Sequence, residues 1–250
     1  MHPSSRPAFL VATLAELLRE RRHIVVGANL PIPAAAALLA RRASGKRLEV
    51  EILGSRNHSV LIGIGDLYDF ACQGRFDGFF LSPGQIDAHG NVNLVGIGTY
   101  PRLDVRWPGS HGSPLLYMMI PNVILFREFH LRRVLVPQVD FVSAPGISPA
   151  NVFRPGGPGA LVTGMAAFRF DRAKARFCLG SIHPGCTEEA VVANTGFAYE
   201  RSEQVHTTPL PPAHVIDWIA SGISEEIAEI YPSFAQTLAS SARSLRGDHA

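Results

Sequence analysis

Four segments in the first fifty residues alternate between a helical and an extended hydrophobic period, and that alternation leaves few architectures open. Leu10, Leu14, Leu17 and Leu18 recur at helical spacing, while Glu16, Arg19, Glu20, Arg21 and Arg22 fill the opposite face. Residues 23–28 read as a short buried strand that closes on glycine. Pro31 and Pro33 then open an Ala/Leu-rich helix over residues 34–42. Proline suits a first turn because the amide it lacks would have no helical partner there. Residues 48–53 form a second strand. Helix, strand, helix, strand is the order that builds a mostly parallel sheet covered by helices, so the expected class is α/β.

The rest of the chain continues this pattern. Residues 76–81, 92–97 and 133–137 are expected strands, with an exit at 140–143. Residues 166–170 and 176–182 flank a polar turn and predict a hairpin. Thr187 is placed to cap a helix over 187–194, with Glu188 and Glu189 at its positive end and Gly196 beyond its stop. Residues 211–230 predict a helix broken near Gly222, and the polar residues 240–250 are expected to fray. No internal repeat or linker divides the 250 residues, so one domain over 1–250 is expected, with its core at about 10–230.

Composition excludes several classes. Hydrophobic residues make up 46% and charged residues 18%, enough for a packed core and too apolar for a disordered chain. Twenty-three Lys and Arg against 21 Asp and Glu leave a net charge of only +2, with no basic stripe for nucleic acid. The apolar stretch 115–126 is broken by Pro121 and Asn122 and falls short of the roughly 18 residues of a membrane span. Cys72, Cys178 and Cys186 form no C-x-x-C pair and are expected as buried free thiols. With no signal-peptide core at the N-terminus, the expected compartment is the cytoplasm.

The candidate sites are loops. Gly27-Ala28-Asn29-Leu30-Pro31 lies where a strand turns into a helix, either as a tight turn or as an amide cradle for an anion. Gly109-Ser110-His111-Gly112-Ser113-Pro114 is glycine-rich and precedes a helix start; small residues let a ligand approach the backbone. It lacks the Gly-Lys-Ser/Thr of a phosphate-binding P-loop. Pro155-Gly156-Gly157-Pro158-Gly159 is expected as a rigid surface loop. No G-x-S-x-G elbow and no i, i+4 histidine pair is present, so neither a serine hydrolase nor a metal site is expected. Glu49 and Glu51 share one face of a strand. Two acids on one face usually mark that face as wet; alternatively, one is a nucleophile or base at the end of the strand.

Taken together and in order, these pieces resemble one family. Gly27-Ala28-Asn29-Leu30-Pro31 is similar to a family G-T-G-L-P, and Gly65-Asp66 to a G-D after the active-site strand. Gln85-Ile86-Asp87-Ala88-His89-Gly90-Asn91-Val92-Asn93 is similar to Q-I-D-x-x-G-N-V-N, and Gly109-Ser110-His111-Gly112 to G-x-G-G. Asp140-Phe141-Val142-Ser143-Ala144-Pro145-Gly146 is similar to D-Y-V-T-S-P-G, and Asn194-Thr195-Gly196-Phe197 to N-T-G-F. The chain thus resembles the β subunits of class I coenzyme A transferases, of the glutaconate CoA-transferase type.

That resemblance implies an open three-layer α/β/α fold with a mostly parallel sheet and a partner α subunit. It implies a hetero-oligomer, such as one of two α and two β subunits, with the active site between subunits. The substrate would be an acyl-CoA thioester, with no metal or organic cofactor. In the family a glutamate in a V-E-S-G motif attacks the thioester, giving first an acyl-glutamyl anhydride and then a glutamyl-CoA thioester. Counted from Gly27 without a gap, Glu51 falls on this nucleophile and Val50-Glu51 reproduces the V-E pair. Ile52-Leu53 stand where the family has Ser-Gly, and counting back from Gly65-Asp66 lands on Glu49. Glu51 is therefore the candidate nucleophile. Asn29, Gly109, Ser110, His111 and Gly112 are substrate- and CoA-loop candidates, and Asn91 and Asn93 are supporting ones. Two other readings stay open. The chain is similar to the β subunits of steroid ring-opening CoA hydrolases, which take their acid–base chemistry from the α subunit; or it is a non-catalytic subunit that shapes a partner's site.

Overall fold

A computed structural model describes residues 2–248. In chain order its elements begin with α1 (Arg6–Glu16), β1 (His23–Val26), α2 (Pro31–Ala43), β2 (Glu49–Ile52), α3 (Ile64–Cys72) and β3 (Gly78–Leu81). Short strands follow: β4 (Gln85–Ile86), β5 (Val92–Asn93), β6 (Gly96–Thr99) and β7 (Arg102–Arg106). Then come α4 (Ser113–Met119), β8 (Val123–Arg127), β9 (Pro158–Thr163), β10 (Ala166–Asp171), β11 (Arg176–Ile182), α5 (Glu188–Asn194) and β12 (Glu200–Thr207). The chain ends with α6 (Ala213–Trp218), α7 (Ser224–Ile227) and α8 (Pro232–Gly247). The class is α/β, as expected. No helix among the described residues is long and apolar enough to cross a membrane.

The chain divides into two compact units. The first comprises residues 1–64, 76–80 and 209–250. Its strands are parallel, in the order β2-β1-β3. α2 links β1 to β2 as a parallel crossover must. Every residue of α2 from Ile32 to Ala40 is buried, and its run of alanines lets neighbours approach closely. α8 corrects the expectation of a frayed tail. Leu238, Ala242 and Leu245 form an apolar stripe at helical spacing and are fully buried, and Ser241 Oγ accepts the Ala8 amide at 3.0 Å. Residues 249–250 lie outside the described residues. The predicted break near Gly222 is a π-helical turn, Ile219–Ile223.

The second unit comprises residues 65–75 and 81–208, with strands in the order β8-β9-β10-β11-β12. β8–β9 and β11–β12 pair parallel, β9–β10 and β10–β11 antiparallel. The predicted hairpin is β10–β11, and Thr187 caps α5 by accepting the Ala190 amide. Three expectations are corrected. Residues 133–143 make no strand; they contribute single bridges, Leu135 to Ile86 and Ala144 to Val92. Gly156, Gly157 and Pro158 are buried, because a Cβ on Gly156 would sit 2.5 Å from Met118 O and no side chain fits. The three cysteines are free, but Cys72 is exposed and the other two half-buried.

His130 is buried between two threonines, its Nδ1 and Nε2 each 2.8 Å from Thr163 Oγ1 and Thr195 Oγ1. Burial pushes its pKa down from 6.5 to about 4. The unfolded chain therefore takes up a proton near pH 6.5 that the folded chain refuses until about pH 4. Stability is full above pH 6.5 and falls as the pH drops through that window, by about 3 kcal/mol in all. Urea unfolding at stepped pH is expected to show this loss, and His130→Asn to flatten the slope.

Candidate active site

β1 and β2 run in parallel with His23 opposite Glu49 and Val25 opposite Glu51. A strand places alternate residues on one face, so His23, Glu49 and Glu51 share it. Glu49 is exposed, whereas Glu51 is 3% exposed and His23 is buried. The imidazole lies between the two acids: Nδ1 is 3.5 Å from Glu49 Oε2 and Nε2 is 3.5 Å from Glu51 Oε1. The edge of Phe76 closes the ring's other side, with centroids 4.7 Å apart. The second Glu51 oxygen, Oε2, accepts the Val60 amide at 3.0 Å. Burial pushes the Glu51 pKa up, but hydrogen bonds from His23, Ser59 and the Val60 amide, with the charge of His23, outweigh it and hold the carboxyl below its ordinary range. Glu51 is thus an ionised carboxylate at neutral pH, which is the form a nucleophile needs.

The segment after β2 builds this environment. Gly54 takes a left-handed φ of 94°, and the chain folds back so that the Ile52 amide donates to His58 O at 2.7 Å. Glu229 anchors the fold-back, accepting Ser55 Oγ at 2.7 Å and the Arg56 amide at 2.9 Å. Ser55 Oγ in turn accepts the His58 amide at 2.9 Å. His58 is buried, with Nδ1 3.3 Å from Arg41 Nη1 and Nε2 3.6 Å from Glu226 Oε1, and Arg41 pairs with Glu226. Burial and the Arg41 charge push the His58 pKa down. Helices α2 and α7 therefore hold the loop over Glu51. Beyond the clasp, Val60 is exposed and Ile62 is 98% exposed. Glu229→Ala is expected to loosen this loop and leave the rest of the unit intact. Hydrogen exchange at the Arg56 and His58 amides should rise on the order of tenfold, while that of β1 stays unchanged.

Asn29 stands exposed in the turn before α2 with a left-handed φ of 59°. The Leu30 amide donates to the Tyr231 hydroxyl at 3.2 Å. Of the two readings of this loop, the positive φ at Asn29 fits the tight turn, and the Leu30 amide is taken by a phenol of the same chain. In the second unit, Gly109 and His111 both take left-handed φ, 104° and 46°, and both are exposed. Gly112 is required by contact, since a Cβ there would meet the Tyr68 ring at 2.1 Å. Ser110 O accepts the Ser113 amide, closing the turn into α4.

Asn91 and Asn93 are spent on structure. Asp87 accepts the His89 and Asn91 amides and Asn91 Nδ2, while Asn91 Oδ1 accepts the Gly146 amide at 3.0 Å. Asn93 is fully buried; its Nδ2 donates to Gln85 Oε1 and Gly96 O, and its Oδ1 accepts the Val95 and Gly96 amides. The Gln85–Asn93 and Asp140–Gly146 motifs therefore clasp each other: Val92 exchanges backbone bonds with Ala144, and Ser143 Oγ accepts the Leu94 amide. Among the described residues, no three His, Cys, Asp or Glu side chains gather as a metal site. Within the first unit, the structure brings together Glu51, Glu49 and a residue the sequence did not single out, His23. Its signal was register, since aligning H-I-V-V beside E-V-E-I sets the imidazole against both acids.

The coenzyme A transferase family matches residues 6–194. The chain is 30% identical over 226 residues to the B-type subunit of the 3-oxoadipate CoA-transferase of Pseudomonas knackmussii, covering 80% of this chain and 86% of that one. It is 28% identical to the B-type subunit of the glutaconate CoA-transferase of Acidaminococcus fermentans, with the same coverage. The solved glutaconate CoA-transferase of that organism matches with a TM-score of 0.76, at 23% identity over 86% of this chain and 93% of that one. The decarboxylase AibA/AibB also matches with a TM-score of 0.76, at 23% identity over 94% and 98%. At such identity the structural likenesses show the fold, which hosts more than one chemistry. The sequence matches carry the assignment, and this chain belongs to the coenzyme A transferase family.

Proposed function

We propose that this chain is the B-type subunit of a cytoplasmic CoA transferase and that Glu51 is its nucleophile. The observation that carries the reading is a buried carboxylate, kept ionised by His23 and the Val60 amide, at the strand position matched to the family glutamate. A Glu51 oxygen attacks the thioester carbonyl carbon, the C–S bond breaks, and CoA leaves as the thiolate with an acyl-glutamyl anhydride behind it. The thiolate then attacks the glutamyl carbonyl and releases the donor carboxylate, leaving glutamyl-CoA. An acceptor carboxylate reverses both steps. Anhydride and thioester are both energy-rich, so little free energy is lost between donor and acceptor. Amides of the Gly109–Gly112 turn are proposed to bind CoA, and Asn29 is proposed as a substrate contact. Asn91 and Asn93 support that turn's unit. Glu51 is only 3% exposed, and the segment folded over it is proposed to shift to admit the substrate. The partner is an A-type subunit, in the proposed assembly of two copies of each, and the chain's own residues need no further cofactor.

A second reading is favoured by the near-complete burial of Glu51: the chain is a subunit of a hydrolase whose partner performs the chemistry. A non-catalytic subunit would have its cleft filled by side chains such as His111 or Phe153, and both are exposed. Intact mass decides. Reconstituted with its A-type partner and mixed with a panel of acyl-CoAs, this chain is expected to gain a hydroxylamine-labile CoA mass after acid quench. Consumption of acyl-CoA with no adduct on this chain would move the chemistry to the partner.

A further inference from the structure

We propose that His23 is the positioning residue of the Glu51 nucleophile, acting as a charge bridge between Glu51 inside and Glu49 at the surface; the inference rests on Glu51 being that nucleophile. Both ring nitrogens face a carboxylate oxygen at 3.5 Å. These are ion-pair distances, which set the ring between an inner and an outer carboxylate. The bridge is held from three sides. The edge of Phe76 packs against the ring. The Asp77 carboxylate accepts the Arg22 and His23 backbone amides at 2.9 and 3.1 Å, which fixes where the ring starts. β2 supplies Glu49 and Glu51 at their register positions. Glu49, Glu51 and Asp77 are thus the charged side chains placed against this residue by its neighbours.

The arrangement has a chemical consequence. When Glu51 becomes an anhydride or a thioester it loses its charge, and the imidazolium loses one of its two counter-ions. Glu49 remains as the other. His23 is therefore neutralised throughout the cycle, and Glu51 returns to an oriented, charged state each time the acyl group leaves. A residue in this role sets how far the pH can fall before Glu51 protonates and attack stops.

The test uses the reconstituted two-subunit enzyme with an acyl-CoA that gives the adduct, and reads kcat/KM against pH together with the rate of adduct formation. His23→Gln keeps a polar side chain without the charge. Its acid limb is expected to move up by about 1–3 pH units, the span an adjacent opposite charge exerts on a carboxyl. Adduct formation should consequently slow far more at pH 5 than at pH 8. Glu49→Gln, at an exposed position that cannot disturb the core, removes a like charge from the same strand face and is expected to move the limb by a smaller step in the opposite direction. A packing role for His23 would leave both limbs in place. An adduct that depends on Glu51, with the limbs of both variants unmoved, overturns the inference alone. An adduct that persists in Glu51→Ala, or never forms while acyl-CoA is consumed, overturns the nucleophile reading and the inference with it.

Discussion

Glu51→Ala is expected to lower CoA transfer by on the order of 10^3-fold or more and to abolish the CoA adduct on this chain. The size follows from the role. A covalent mechanism has no slower version of the same route when the attacking atom is removed, and what persists is the hydrolytic background of the bound thioester. Glu51→Gln is the sharper variant. It preserves the volume and can still accept the Val60 amide, so the 53–60 loop stays seated, yet its amide is not a nucleophile. Loss of turnover in both variants, with unchanged circular dichroism and partner binding, places the chemistry at this carboxylate. Retained turnover in both places it in the partner and supports the hydrolase reading.

Gly146→Ala is expected to destabilise the second unit by about 3 kcal/mol, seen as a fall in Tm of roughly 10 °C by calorimetry. A Cβ at this position would lie 2.0 Å from His89 O and under 3 Å from the Gly90 backbone, and backbone cannot rotate away as a side chain does. Relief requires the Asp140–Gly146 segment to draw back. That breaks the bond from the Gly146 amide to Asn91 Oδ1 and loosens the Asp87 turn that depends on Asn91. An alanine variant as stable as the parent would show that the clasp between the two motifs is not tight. These two motifs, the most specific pieces of the family pattern, brace each other.

Local pattern carried far where packing agreed with it. The leucine spacing of α1, the apolar run of β1, the prolines at the start of α2 and the Thr187 cap each report a preference that the neighbouring residues alone enforce. The misses have separate causes. β12 is a largely exposed edge strand, E-R-S-E-Q-V-H-T, with no alternation to betray it. β9 begins inside a proline–glycine run that reads as a loop. Residues 133–143 have a strand's composition, but their backbone bonds go to the β4–β5 hairpin, so no ladder forms.

The α/β class, the order of the first strands and helices, and the candidacy of Glu51 are legible in the residues alone, because each follows from short-range periodicity or from an ordered set of motifs. Long-range packing was needed to establish that Glu51 is buried while Glu49, two residues away on the same face, is not. That difference comes from residues 53–60 folding back under contacts from Glu229, Glu226 and Arg41, which lie far away along the chain. Packing likewise sets His23 against both acids, sends the Leu30 amide to Tyr231, and commits Asn91 and Asn93 to the clasp. One cause underlies all of these outcomes. A side chain's protonation, orientation and accessibility depend on which distant groups packing brings within a few ångströms, and residue spacing along the chain carries no record of that.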